Sequence, residues 1–176
     1  SFPKQFVPLI GDKSLLQLTL ERVASLGPKV VTVAADDHRF LVADCLRLAK
    51  VQGTVILEPA ARTTAAAMAL AALRAQPEDF LVFCPADHHI PDGAAFTRTV
   101  KEGLTAAANG AIVTFGVSPS FPSTAYGYIR QGADRADGSM HVAQFIEKPD
   151  AQHAQQLLLQ GDTLWNAGIF LAQARF

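Results

Sequence analysis

Two short strings hold side chains suited to phosphate and sugar chemistry: FCPADHHI (Phe83 to Ile90) and FIEKPD (Phe145 to Asp150). Each sets acidic or basic residues directly after a run that reads as a buried β-strand. Ligands of open α/β sheets collect at the carboxyl ends of the strands. An Asp at one such end, Asp87, and a Glu-Lys pair at another, Glu147 and Lys148, suit a site holding a metal and a phosphorylated sugar. A carboxylate can accept two sugar hydroxyls, and an ammonium can neutralise a phosphate. Each residue also has a plainer reading: Asp87 as a turn cap before Ile90-Pro91, Glu147 and Lys148 as a surface pair. His88 and His89 are adjacent on an extended segment, so their side chains point opposite ways. Packing or support suits them better than joint metal ligation.

The elements that must position these residues follow an alternating rhythm. VVTVAA (Val30 to Ala35) is a β-branched strand closed by Asp36 and Asp37, which read, with His38, as turn and cap residues. His38 to Lys50 has helical spacing, TVIL (Thr54 to Leu57) is a strand, and the Ala-rich stretch Thr63 to Ala75 has high helix propensity. FLVFC (Phe80 to Cys84) is a strand, Ala94 to Ala108 a helix and AIVTFGV (Ala111 to Val117) another strand. This order predicts an α/β fold, Rossmann-like, with a mixed, mainly parallel sheet flanked by helices. Ser14 and Gln17 have capping-box spacing ahead of a helix over Leu18 to Leu26. Asp92 and Asp150 are N-cap candidates, and Gly161 is placed to stop the helix of Ala151 to Gln160. After Val117, YGYIR (Tyr126 to Arg130), HVAQFIEK (His141 to Lys148) and LWNAGIFLA (Leu164 to Ala172) read as added strands, the first two antiparallel or mixed with the parallel core. Residues 1 to 8 read as a loop with no strand in front.

Composition narrows the classes. With 176 residues, 49% apolar and 18% charged, the chain is long enough for one folded domain. A net charge of −1 without a basic stripe argues against nucleic acid as a partner. No apolar run reaches the roughly 18 residues of a membrane span, and no signal peptide is visible. The two cysteines, Cys45 and Cys84, read as unpaired buried thiols, which fits a cytoplasmic setting.

Seven stretches, in order and spanning nearly the whole chain, resemble the nucleotidyltransferase domain of mannose-1-phosphate guanylyltransferases, the bacterial GDP-mannose pyrophosphorylases. They are PKQF (Pro3 to Phe6), SLLQLTLERV (Ser14 to Val23), EPAARTTAAAMALAAL (Glu58 to Leu73), PADHHI (Pro85 to Ile90), VTFGVSPSFPSTAYGYI (Val113 to Ile129), FIEKPD and LWNAGIF (Leu164 to Phe170). The chain departs from the family pattern in three places. Arg62-Thr63-Thr64-Ala65-Ala66 stands for Arg-Asn-Thr-Ala-Pro, Ala125 for a Gly, and Ala167 for the Ser of Trp-Asn-Ser-Gly.

The resemblance implies the transfer of GMP from GTP to mannose 1-phosphate, giving GDP-mannose and pyrophosphate, with Mg²⁺ as cofactor and a homo-oligomer left open. It implies Asp87 as metal ligand, and Asp87 and Lys148 as catalytic residues. Lys4, Glu58, Arg62 and Thr63 would bind the nucleotide, with Glu58 accepting from the guanine N1–H and N2–H₂ donors. Gly127, Glu147 and Asn166 would bind the sugar. Gly127 also reads as a bend, Asn166 as a turn residue and Lys4 as a solvated lysine. It further implies that residues 1–176 are a partial nucleotidyltransferase domain, truncated at both ends. The phosphate-binding loop would lie before Ser1 and a second metal ligand after Phe176, so this piece would be inactive alone. Two alternatives stay open: another sugar-1-phosphate nucleotidylyltransferase, or a non-catalytic domain that binds nucleotide sugars.

Overall fold

A computed structural model describes residues 2–60 and 63–176 of the chain. A short 3-10 turn (Lys4–Phe6) leads into a hairpin of β1 (Pro8–Ile10) and β2 (Lys13–Ser14). This corrects the expectation of a plain loop ahead of the first helix. Gly11, at φ +64°, makes the turn with Asp12, a Gly-Asp pair of the kind that closes hairpins.

Helix α1 (Leu15–Ala24) starts where Ser14 accepts from the Gln17 amide at 3.2 Å. Only this half of the capping box forms, because the Gln17 side chain reaches Glu21 instead. β3 (Val30–Ala35) and β4 (Gly53–Glu58) pair in parallel around α2 (Arg39–Ala49), which ends on Lys50 in the left-handed region at φ 56°. Leu16, Leu20, Val30, Val42, Cys45 and Leu46 form the core between α1, α2 and β3.

The Ala-rich helix α3 (Thr64–Arg74) precedes β5 (Phe80–Phe83). The helix expected over Ala94 to Ala108 is two, α4 (Gly93–Glu102) and α5 (Leu104–Ala108), broken at Gly103. There the backbone descends onto the sheet: a Cβ on Gly103 would lie 3.1 Å from Leu171 and 3.3 Å from Val113. Then come β6 (Val113–Val117), β7 (Tyr128–Asp134), β8 (Met140–Ile146), α6 (Ala151–Gln160) and β9 (Thr163–Gln173).

β9 is the hub of a five-stranded sheet. β6 pairs along one of its edges, while β5 and β7 share the other, all three antiparallel to it. β5, β6 and β7 therefore point the same way but are joined through β9, not to one another. The α/β class expected from sequence holds. The interposed β9 makes most pairings antiparallel, a feature that needs strand order to be known. β8 pairs antiparallel with β7, the first of the two arrangements the sequence left open for these strands.

Two further cores back this sheet. Phe96, Val100 and Ile169 tie α4 to β9, with Cys84 and Phe115 against them. Tyr128, Ala154 and Leu157 tie α6 to β7, and the Tyr128 hydroxyl donates to the Ser123 carbonyl at 2.9 Å. Asp92 and Asp150 cap α4 and α6, each accepting a backbone N–H at 2.8 Å, and Gly161 ends α6 at φ 72°.

Candidate active site

The turn after β5 carries Asp87 to the mouth of a cavity of about 670 Å³. β9 contributes Trp165, Asn166 and Ile169 to its walls, the 3-10 turn contributes Lys4, and Tyr126 closes one side. Asp87 and Asn166, far apart in sequence, thus meet in one space because β5 pairs antiparallel with β9. The Lys4 ammonium sits 2.6 Å from Asp87 Oδ2, with the Lys4 side chain largely exposed. A hydrogen bond from Lys4 to Asp87, reinforced by the carboxylate's charge, raises the ammonium pKa above its ordinary value.

His88 Nε2 lies 4.0 Å from Asp87 Oδ1. Burial lowers the imidazole pKa; the Asp87 charge opposes this, while Arg22 and Lys4 add to it. His88 is therefore neutral near pH 7. Arg22, buried on α1, supports the same turn: its guanidinium lies 3.5 Å from the His88 carbonyl oxygen, donates to Thr19 at 3.1 Å and stacks over Phe96. Desolvation lowers its pKa. Cys84 is a free thiol whose pKa burial pushes up to about 11, partly offset by Arg22.

Glu147 and Lys148 sit at the end of β8, highly exposed, with Lys148 Nζ 3.5 Å from Glu147 Oε1. Neither lines the cavity of Asp87. Glu147 reaches its rim through Gly127, where a Cβ would lie 2.9 Å from Glu147 Oε2 and 3.7 Å from Asn166 Cβ. The Asn166 amide donates to the Gly127 carbonyl at 2.8 Å, and its side-chain oxygen accepts from Gly168 at 2.9 Å. Among the described residues the Asn166 –NH₂ group, with its two donors, has no hydrogen-bond partner. Lys148 holds φ 41°, a region uncommon for a side chain larger than Gly.

Glu58 ends β4 and lines a separate cleft of about 410 Å³ with Asp36 and Asp37. Thr63 is the N-cap residue of α3, without a side-chain capping bond. Arg62 lies outside the described residues. Asp36 and Asp37 form a 3-10 turn with His38, as their turn reading expects.

The sequence reading passed over an aromatic wall. Phe121 and Tyr126 meet Trp165 edge-on at 4.8 and 5.1 Å between ring centroids. Trp165 and Tyr126 face the cavity. Trp165 falls inside LWNAGIF and Tyr126 beside Gly127, so both lie within motifs already singled out. Arg22 carried a weaker signal, a cation at a buried helix position.

Among the described residues, no group of three or more His, Cys, Asp or Glu side chains is arranged to hold a metal. A hard divalent cation bound mainly by substrate phosphates and water needs only one or two protein carboxylates. Asp87, an oxygen donor at the mouth of a cavity large enough for phosphates, fits that demand.

A strand-end carboxylate with a cation beside it and a polar and aromatic pocket lie together on an α/β sheet. The sequence profile of the nucleotidyl transferase family matches residues 1–176, and the chain belongs to that family. It is 42% identical over 179 residues to the xanthan biosynthesis protein XanB of Xanthomonas campestris pv. campestris (strain B100), covering 99% of this chain and 38% of the relative. It is 44% identical to the mannose-1-phosphate guanylyltransferase RfbM of Salmonella typhimurium, covering 98% of this chain and 37% of the relative. Among solved structures, one described as mannose-6-phosphate isomerase from Helicobacter pylori superposes with a TM-score of 0.89 at 35% identity, over 99% of this chain and 67% of that one. The chain spans less than two fifths of the length of these two curated relatives. Among the described residues no helix is long and apolar enough to cross a membrane.

Proposed function

We propose that this chain is the nucleotidyltransferase part of a mannose-1-phosphate guanylyltransferase. A phosphate oxygen of mannose 1-phosphate attacks the α-phosphorus of GTP, a new P–O bond forms, and the bond to the β-phosphate breaks. GDP-mannose and pyrophosphate result. One observation carries the reading: Asp87, Lys4 and Asn166 share one cavity, with a Glu147 oxygen against Gly127 at its rim.

Each side chain has a task that matches its chemistry. Asp87 is the residue to hold a divalent cation, Mg²⁺ by its oxygen donor; when bound, the cation neutralises phosphate charge. Lys4 and Lys148 supply further positive charge to the phosphates. Such a transfer depends on positioning and charge neutralisation rather than covalent help. Glu147 accepts from sugar hydroxyls, Gly127 lets the ring approach the backbone, and the Asn166 –NH₂ donates to the sugar. Tyr126 and Trp165 offer apolar faces to the ring. Glu58 reads guanine from its own cleft, and Arg62 and Thr63 contact the same nucleotide. A cytoplasmic setting belongs to the same proposal, supported by the two free thiols.

Thermal unfolding with GTP, GDP-mannose and Mg²⁺ tests it. A ligand at a hundred times its Kd stabilises by about 2.7 kcal/mol. The reading requires GDP-mannose to raise the melting temperature more than UDP-glucose does. Equal shifts, or none, would count against it.

A further inference from the structure

Arg22 is 8% exposed, and among the described residues no carboxylate forms an ion pair with it. A buried charge without a counter-charge costs stability, and a packed apolar side chain of similar volume would often serve the fold better. What surrounds this cation is a set of dipoles and one ring. The Thr19 hydroxyl, one turn back on α1, accepts at 3.1 Å, and the His88 carbonyl accepts at 3.5 Å. Phe96 of α4 presents its ring face 5.4 Å from the guanidinium carbon. Arg22 also lies in the last turn of α1, where the helix end carries partial negative charge. Its Nε finds no acceptor among the described residues.

These contacts join α1, α4 and the turn after β5 at one point. Thr19 and Arg22 are three residues apart, so one face of α1 holds both. His88 and Phe96 line the cavity at whose mouth Asp87 stands, whereas Arg22 does not. Arg22 thus reaches the site through the backbone of the residue next to Asp87. Lys4 differs, because it lines the cavity and meets the Asp87 carboxylate itself.

We propose that Arg22 is a positioning residue: by holding the His88 carbonyl it fixes the turn that carries Asp87, and so keeps that carboxylate aimed at a divalent cation. A donor that fixes a turn must itself be fixed. Thr19 and Phe96 hold the planar guanidinium in one orientation, which a flexible ammonium would not match. Position and charge here act with opposite signs. A positive charge near a cation site repels the cation, so an arginine acting through charge alone would weaken metal binding. One acting through position strengthens it. The role of Arg22 rests on the metal role proposed for Asp87 above.

The test follows Mn²⁺ binding by electron paramagnetic resonance and amide hydrogen exchange at residues 86–89, with residues 140–146 as internal control. Arg22→Met, confirmed folded by circular dichroism, should weaken Mn²⁺ binding about tenfold or more, the common cost of losing a group that orients a metal ligand. Exchange at residues 86–89 should quicken about tenfold, as expected on losing a hydrogen bond to a charged group, and the control should stay unchanged. Thr19→Val keeps the charge but removes the acceptor that orients it. It should weaken Mn²⁺ binding in the same direction by a smaller factor, and it carries the test alone if Arg22→Met fails to fold. Mn²⁺ binding that tightens or holds steady in Arg22→Met, while Asp87→Asn weakens it, would overturn the role of Arg22 and leave that of Asp87 standing. Unchanged Mn²⁺ binding in Thr19→Val, or unchanged exchange at residues 86–89 in Arg22→Met, would overturn it equally. Mn²⁺ binding that ignores Asp87→Asn would instead strike the metal role of Asp87, and that of Arg22 with it.

Discussion

The backbone amide of Asn166 donates to the carbonyl of Gly127 at 2.8 Å, which locks the start of β9 to the residue that Glu147 approaches from β8. Three sugar-site candidates from distant parts of the chain are thereby held at one rim by strand pairing, not by flexible loops.

The close approach at Gly127 gives a sharp mutational test. A Cβ there would meet Glu147 Oε2 at 2.9 Å, and the carboxylate, being the end of an exposed side chain, can swing away. Gly127→Ala should leave stability within about 1 kcal/mol of the parent, because the one tight contact is with the movable end of a side chain. Affinity for GDP-mannose should fall about tenfold or more, since a hydrogen bond to a charged group contributes about 1.5–3 kcal/mol. Calorimetric titration checks the affinity and urea unfolding the stability.

Lys4 competes with any cation for Asp87, since its ammonium lies 2.6 Å from Oδ2. Lys4→Met should tighten Mn²⁺ binding, followed by electron paramagnetic resonance, by about twofold to fivefold, the range of an exposed ion pair of up to about 1 kcal/mol. Asp87→Asn should weaken it strongly. Mn²⁺ binding that ignores both substitutions would remove Asp87 from the metal role.

Cys84 makes stability depend on alkaline pH. The folded thiol has a pKa of about 11 because burial disfavours the thiolate. An unfolded thiol ionises at about 8.5. The folded state thus binds the proton more tightly, and the contribution of Cys84 is complete below about pH 8.5 and lost as pH rises toward 11. At about 1.4 kcal/mol per pH unit, this amounts to at most about 3.5 kcal/mol. Urea midpoints at pH 8 and pH 10.5 should fall further in the parent than in Cys84→Ala. Equal falls would mean the thiol is not shielded.

Two substitutions probe how β9 is held. Leu157 is fully buried against Tyr128 and Ala154, so Leu157→Ala should destabilise by about 2–5 kcal/mol. A Cβ on Gly116 would lie 2.6 Å from Leu164, where β6 bulges against β9, so Gly116→Ala should cost about 1–3 kcal/mol through overpacking. Denaturant titration measures both.

Much of this arrangement could be foreseen residue by residue, and the exceptions have physical causes. VVTVAA forms a strand over Val30–Ala35, as its β-branched pattern predicts, and Asp92, Asp150 and Gly161 cap helices as their types predict. These are local effects, set by side chains within a few residues. The hairpin at Gly11, the break at Gly103 and the hub role of β9 depend on what the chain meets in space. Gly103 breaks a helical pattern because Leu171, far along the chain, lies beneath it. Asp87, Glu147 and Asn166 were identified by type and motif, yet only strand order brings Asp87 and Asn166 into one cavity and leaves Lys148 outside it. The aromatic wall of Phe121, Tyr126 and Trp165 escaped notice because Tyr126 and Trp165 fall in strand patterns, where aromatic residues ordinarily read as core, and Phe121 falls between strands.

The central claim is that Asp87 and Glu147 serve one ligand. A double-mutant cycle measures it most directly: Kd for GDP-mannose with Mg²⁺ in the parent, Asp87→Ala, Glu147→Gln and the double variant, each confirmed folded by circular dichroism. The account predicts that each single substitution weakens binding about tenfold or more. Binding that is unchanged in either single variant would contradict it.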